Sequence, residues 1–215
     1  MKKFAVVLAG CGVYDGAEIH EAVLTLLAID RQGGSYQVFA PDMKQHHVVN
    51  HLTGQEMPEE RNVLAESARI ARGNIRDMAT LDMKDFDALV FPGGYGVAKN
   101  LCDWAFRGPD CEVHPEVTRI VKQCLDLDKP LGAMCIAPVM LGKIMGKVEI
   151  TIGDDPVTAS QVEKMGSKHR NTTHGQVIRD PGRKIFTTPC YMLDARISDI
   201  AAGTENLVKE MLQEM

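Results

Sequence analysis

Short apolar runs alternate along the chain with segments of helical period, and turn residues separate them. Residues 4–9 are a continuous apolar run of strand length, the pattern of a strand covered on both faces of a sheet. Residues 19–31 follow with Ala22, Val23, Leu26, Leu27 and Ile29 at helical spacing, and Gly33-Gly34 stops them. The same reading predicts strands at 36–40, 87–91, 131–134 and 148–152. It predicts helices at 61–72, 115–127, 136–145, 156–165 and 198–213. Residues 177–179 and 184–188 read as a hairpin around Asp180-Pro181-Gly182, and 46–53 as a short hairpin or an extended loop. The β-α-β-α order predicts an α/β sandwich over residues 1–215 as a single domain, with a mostly parallel sheet and helices on both faces.

Composition narrows the function classes. At 215 residues the chain is long enough to bury a core, and 45% hydrophobic with 25% charged residues argues against extended disorder. A net charge of −5 and 5% aromatics offer no basic field and little stacking surface, so neither nucleic acid nor an anionic membrane is expected as a partner. Leu8-Ala9-Gly10-Cys11 after Lys2-Lys3 has the look of a lipoprotein cleavage box. The apolar run before it has only six residues, below the roughly 7–15 of a signal-peptide core, so the strand reading is preferred. Six cysteines without a C-x-x-C pair suggest neither a zinc knuckle nor a disulfide framework, and a reducing cytoplasm is the expected location.

Open parallel sheets bind ligands beyond the carboxyl ends of their strands, which directs attention to residues 10–21, 40–51, 92–100 and 135–138. Leu131-Gly132-Ala133-Met134-Cys135-Ile136-Ala137-Pro138 reads as strand, sharp turn, helix. A nucleophile held in such a turn needs small residues two positions either side, and Ala133 and Ala137 meet that need. A Cys at a helix N-terminus also has its thiolate stabilised by free N–H groups, which sets Cys135 apart from the ordinary buried cysteine. Pro92-Gly93-Gly94 follows another strand, and the N–H groups of Gly94 and Ile136 can together form an oxyanion hole. Glu18 and Glu21 lie one helical turn apart after the first strand, and either can face the site as a proton shuttle or simply favour a helix start. Gly12, His20 and Asn50 are further candidates to line it.

Five segments give the chain a family resemblance: residues 10–16 with 19–24, Val49-Asn50-His51-Leu52-Thr53-Gly54, Phe91-Pro92-Gly93-Gly94-Tyr95-Gly96 through Leu101, Met134-Cys135-Ile136-Ala137-Pro138, and Thr187-Thr188-Pro189-Cys190-Tyr191-Met192-Leu193. They resemble the PfpI/ThiJ superfamily, related to class I glutamine amidotransferases, and within it the glyoxalase ElbB subfamily, once called enhancing lycopene biosynthesis or sigma cross-reacting protein. The resemblance implies a flavodoxin-like three-layer fold and a homodimer. It implies Cys135 as nucleophile, Glu21 as its helix-start partner, and the backbones of Gly94 and Ile136 as oxyanion donors. Hydrolytic members carry a His after the Cys, where this chain has Ile136, so a Cys-His-Asp triad is not expected unless His20, His114 or His174 folds in. What remains is cofactor-free chemistry on glyoxal or methylglyoxal, that of a weak glyoxalase-type lyase. The family's link to isoprenoid production attaches to no residue.

Other readings compete with this one. A redox or stress-responsive protein with a reactive Cys135 fits the same residues, as does a deglycase or amidase. Gly10-x-Gly12-x-x-x-Gly16 with Asp42 after the second strand approximates a dinucleotide-binding fingerprint, one residue too long. His46, His47 and His51 cluster in sequence but lack an acidic or Cys partner at ligand spacing, so no metal is expected.

Overall fold

The computed structural model describes residues 1–215. Nine strands form: β1 (Lys3–Val7), β2 (Ser35–Ala40), β3 (Ile75–Asp77), β4 (Ala88–Phe91), β5 (Leu131–Met134), β6 (Glu149–Ile150), β7 (Lys168–His169), β8 (Ile178–Arg179) and β9 (Ile185–Thr188). Seven of them make one sheet in the order β3-β2-β1-β4-β5-β9-β8, parallel except for the hairpin edge strand β8. The helices are α1 (Ile19–Arg31), α2 (Val63–Ile70), α3 (Trp104–Arg107), α4 (Pro115–Asp126), α5 (Pro138–Met145), α6 (Pro156–Lys164) and α7 (Ile197–Gln213). This is the flavodoxin-like α/β architecture that the alternation predicts.

The continuous apolar runs are explained by two cores, one on each face of the sheet. Along β1 and just beyond it, Phe4, Val6 and Leu8 enter one core while Ala5, Val7 and Ala9 enter the other. Ala88 and Val90 of β4 join the first, and Leu89 and Phe91 the second. Helix α1 buries Ala22, Leu26 and Ile29 in the first core, beside Ile200, Leu207 and Met211 of α7. Val117, Ile120 and Val121 of α4 and Val139 to Leu141 of α5 fill the second.

From β1 the chain winds outward through β2 to β3, then returns to the other side of β1 as β4. The winding direction reverses between β1 and β4, so a crevice opens at their carboxyl ends. Helix α1 begins there, and the turn after β5 lies next to it.

Several segments differ from the sequence reading. The strand expected at 148–152 is two residues long and lies outside the main sheet, paired with β7. Glu149 carries ion pairs to Lys168 and Arg170, which hold β6 against β7. Strand β3, strand β7, the wide helical turn Val97–Leu101 and helix α3 are two to five residues long, too short for periodicity to reveal. Helix α2 starts at Val63 because the Asn62 side chain caps it, accepting from the Ala65 N–H at 3.0 Å. Left-handed Arg72 and Gly73 lie beyond its end. Asn62→Ala is expected to lower the unfolding free energy by about 1 kcal/mol, read from the urea midpoint at unchanged slope.

Candidate active site

Strand β5 ends at Met134, and Cys135 still donates its N–H to Thr188 O of the neighbouring strand at 3.0 Å. The chain then turns sharply, with Cys135 in the left-handed region at φ 58°. A non-glycine residue there costs about 1–2 kcal/mol and persists only when its surroundings impose it. Those surroundings are tight: Ala133 and Ala137 are fully buried, and a Cβ on Gly93 would lie 2.4 Å from Cys135 Cβ. Helix α5 begins at Pro138, two residues later than the predicted start, so residues 135–137 form a turn.

Glu21 is the fully buried partner of Cys135. The start of α1 aims it under the sheet ends, and Glu18 caps that helix by accepting the Glu21 N–H at 2.7 Å. The Glu21 carboxyl accepts the Gly93 N–H at 2.9 Å and the Tyr191 N–H at 3.2 Å, and it and the Cys135 sulfur both crowd Gly93. Burial, reinforced by the nearby Glu18, pushes Glu21 up to about 8 against the pull of these hydrogen bonds. Burial and Glu21 likewise push the Cys135 thiol up, although the N–H groups of Gly94 and Ile136 both face its sulfur. Burial thus works against the thiolate that a helix-start Cys favours and opposes the two N–H donors, and α5 itself begins three residues beyond Cys135.

The structure brings Cys135, Glu21, Gly93, Gly94 and Ile136 together as the motifs suggest. Glu18 acts behind them as the α1 cap, and His20 bonds the Tyr191 hydroxyl through Nδ1 at 2.8 Å. Gly12 and Asn50 do not line the cavity above Cys135. Gly12 packs against the His51 ring, and Asn50 closes its own turn by accepting the Leu52 N–H. Tyr191 is the residue that sequence reasoning missed: it grips Glu21 through its backbone, meets His20 through its hydroxyl, and lines the cavity. The Thr188-Pro189-Cys190-Tyr191 segment was the only signal, and it carried no chemistry of its own.

The cavity holds about 840 Å³, and Cys135, Gly94 and Ile136 are among its lining residues. Residues 104–109, Asp155, Thr158 and Gln161 line it as well. No histidine lines it. His114 caps α4 by accepting the Glu116 N–H, and His174 is exposed. The three clustered histidines diverge: His46 and His47 pack against Phe106, while His51 stacks on Tyr14.

The glycine loop does not suit a pyrophosphate. Its donors are spent within the chain, Gly10 N–H on Ser67 Oγ, Gly12 N–H on Ala17 O, Tyr14 N–H on His51 and Gly16 N–H on Gly12 O. Two buried carboxyls, Glu18 and Glu21, occupy the helix start where a phosphate would sit. Asp42 accepts from the Asn62 amide. The dinucleotide reading is corrected on these grounds.

No protein-family model matches the chain. Over 98% of its length it is 42% identical to the human "Glutamine amidotransferase-like class 1 domain-containing protein 3, mitochondrial", of which it covers 82%. It is 43% identical to the rat "ES1 protein homolog, mitochondrial", of which it covers 83%. A crystal structure of an isoprenoid biosynthesis protein with an amidotransferase-like domain from Ehrlichia chaffeensis is 36% identical and superposes with a TM-score of 0.92, over 99% of this chain and 100% of that one. Drosophila melanogaster DJ-1beta, at 17% identity and a TM-score of 0.55, shares the fold alone. The human and rat relatives and a zebrafish ES1 protein are all named mitochondrial, which overturns the expected cytoplasmic location. Unpaired cysteines report reducing surroundings, and the cytosol is not the only such place. Sequence identity over nearly its whole length shows that the chain belongs among the glutamine amidotransferase-like class 1 and ES1 proteins, and its fold is the one that ThiJ/PfpI domain proteins share.

Proposed function

We propose that the protein converts small 2-oxoaldehydes such as glyoxal or methylglyoxal to 2-hydroxy acids without a cofactor. The observation that carries this reading is the pairing of a strained thiol with a buried carboxyl, with two backbone N–H groups facing the sulfur and no histidine lining the cavity. Glu21 as carboxylate takes the Cys135 proton while sulfur adds to the aldehyde carbon. The acid returns that proton to the carbonyl oxygen, giving a hemithioacetal. Glu21 then removes the C–H proton to give an enediolate, the hydroxyl proton passes to the neighbouring oxygen, and Glu21 delivers its proton to the adjacent carbon. The product is a thioester of the hydroxy acid. Water cleaves it, restoring the thiol and releasing glycolate or lactate. One carbon is oxidised and its neighbour reduced, so no outside redox partner is needed. The N–H groups of Gly94 and Ile136 hold the negative charge as it moves from sulfur to oxygen.

The test is glyoxal consumption without glutathione, with the product identified by NMR. Wild type is expected to give glycolate, and Cys135→Ser and Glu21→Gln to fall at least 100-fold. The active base is the Glu21 carboxylate, so kcat/KM is expected to rise with pH and level off above about 8, an inflection that Glu21→Gln lacks. No glycolate from wild type with Cys135 still reduced would sink the reading, as would full activity in Cys135→Ser.

A further inference from the structure

We infer that the substrate carries a planar aromatic ring beyond its reactive carbonyl, bound against a wall built around Phe106. This inference rests on the proposed carbonyl chemistry and names the substrate class of that same site. Its first support is size. Glyoxal has four heavy atoms and fills on the order of 100 Å³ at the ~30 Å³ of a water-sized group. The cavity above Cys135 holds about 840 Å³, within the range that encloses a much larger ligand.

Its second support is where the chain places its few aromatic residues. There are one Trp, four Tyr and six Phe in 215 residues, yet Tyr95, Trp104, Phe106 and Tyr191 all line this cavity. Phe106 is 48% exposed and Tyr95 53% exposed, so aromatic ring surface lies open in the cavity that Cys135 also lines. Phe106 is also held in place. The His46 ring lies 4.4 Å from it at a 37° tilt, and the His47 ring meets it edge-on at 5.7 Å. An exposed ring fixed from behind by two others presents a ready face for stacking. Thr158 and Gln161 also line the cavity and supply a hydroxyl and an amide, which can orient polar edges of the same ligand.

The experiment compares phenylglyoxal, cyclohexylglyoxal and glyoxal. Each kcat/KM is divided by the rate constant for addition of the same compound to 2-mercaptoethanol, which removes intrinsic electrophilicity. Wild type is expected to favour phenylglyoxal about 10-fold over cyclohexylglyoxal, since one well-packed ring pair adds up to about 1.5 kcal/mol beyond area burial. It is expected to favour it about 100-fold over glyoxal. Phe106→Ala is expected to remove the phenyl-over-cyclohexyl preference, and Phe106→Tyr to keep it. A second arm measures binding of acetophenone to Cys135→Ser by ligand-detected NMR, with and without Phe106→Ala. Glyoxal turnover with no ring preference overturns the inference and leaves the carbonyl chemistry standing. Absence of any turnover, with saturable acetophenone binding lost in Phe106→Ala, defeats the chemistry and supports the ring site. Failure of acetophenone to bind, or binding indifferent to Phe106, overturns the ring site.

Discussion

Gly94→Ala is expected to destabilise the protein by about 4 kcal/mol and to abolish the proposed turnover of glyoxal. Gly94 has φ 101°, which an alanine reaches only at a cost of about 1–2 kcal/mol. Its new Cβ would lie 2.3 Å from Glu18 N and 2.5 Å from Gly16 O. Both are backbone atoms, so no side-chain rotation relieves the clash, and overpacking of this kind costs about 1–3 kcal/mol. The loops would have to part, straining the bonds Glu18 N–H to Gly93 O at 2.9 Å and Gly96 N–H to Gly16 O at 2.8 Å. Each such bond contributes about 1 kcal/mol. Gly73→Ala is the control. Its φ is 81°, but nothing lies within 4 Å of the added methyl, so only the conformational cost of about 1–2 kcal/mol should appear. Urea midpoints of the two variants decide the matter, and equal losses would mean that the close packing of the two loops contributes little.

Glu21→Gln is expected to reverse the order of stability between acid and alkaline solution. The Glu21 carboxyl titrates near 4.5 in the unfolded chain and near 8 in the folded protein. Between those values the folded state holds a proton that the unfolded state has released. Stability is therefore fullest below about 4.5 and falls as pH rises, levelling off above about 8. A displacement of this size corresponds to about 4–5 kcal/mol at the rate of about 1.4 kcal/mol per pH unit. Glutamine does not titrate and so removes this slope. It also turns an amide towards one of the two N–H donors, a loss of about 1–3 kcal/mol at every pH. Wild type should be the more stable at pH 5, and Glu21→Gln at pH 8.5. Other titrating groups are common to both proteins and cancel in the difference. Parallel stability curves across this range would show that Glu21 ionises freely in the folded state.

The sheet and its flanking helices were legible because each long element carries an unbroken pattern. Helix 19–31 begins and ends where its periodicity and the following glycines place it. The turn around Cys135 was legible too, since Ala133, Ala137 and Pro138 each answer to a local steric demand. Two aspects of the site were not. The protonation of Cys135 depends on burial by residues distant in sequence, and local spacing shows only the N–H donors that oppose that burial. Tyr191 reaches Glu21 from 170 positions away, and nothing in its own surroundings marks it. Gly12 and Asn50 lie on loops at the correct end of the sheet, but strand-end position fixes an edge and not a distance, and their loops pack on each other through His51.

Much of the cavity lining comes from parts of the chain that the sheet does not build. Residues 104–109 form a short excursion between β4 and α4, and α6 hangs from the separate β6–β7 pair. The thiol, the carboxyl and their glycines sit at the ends of the central strands. Under the proposed function, recognition and reaction thus fall to different modules. The excursion and α6 can be exchanged to admit new molecules while the strained turn stays untouched, which makes this scaffold a natural starting point for retargeting one chemistry to many substrates.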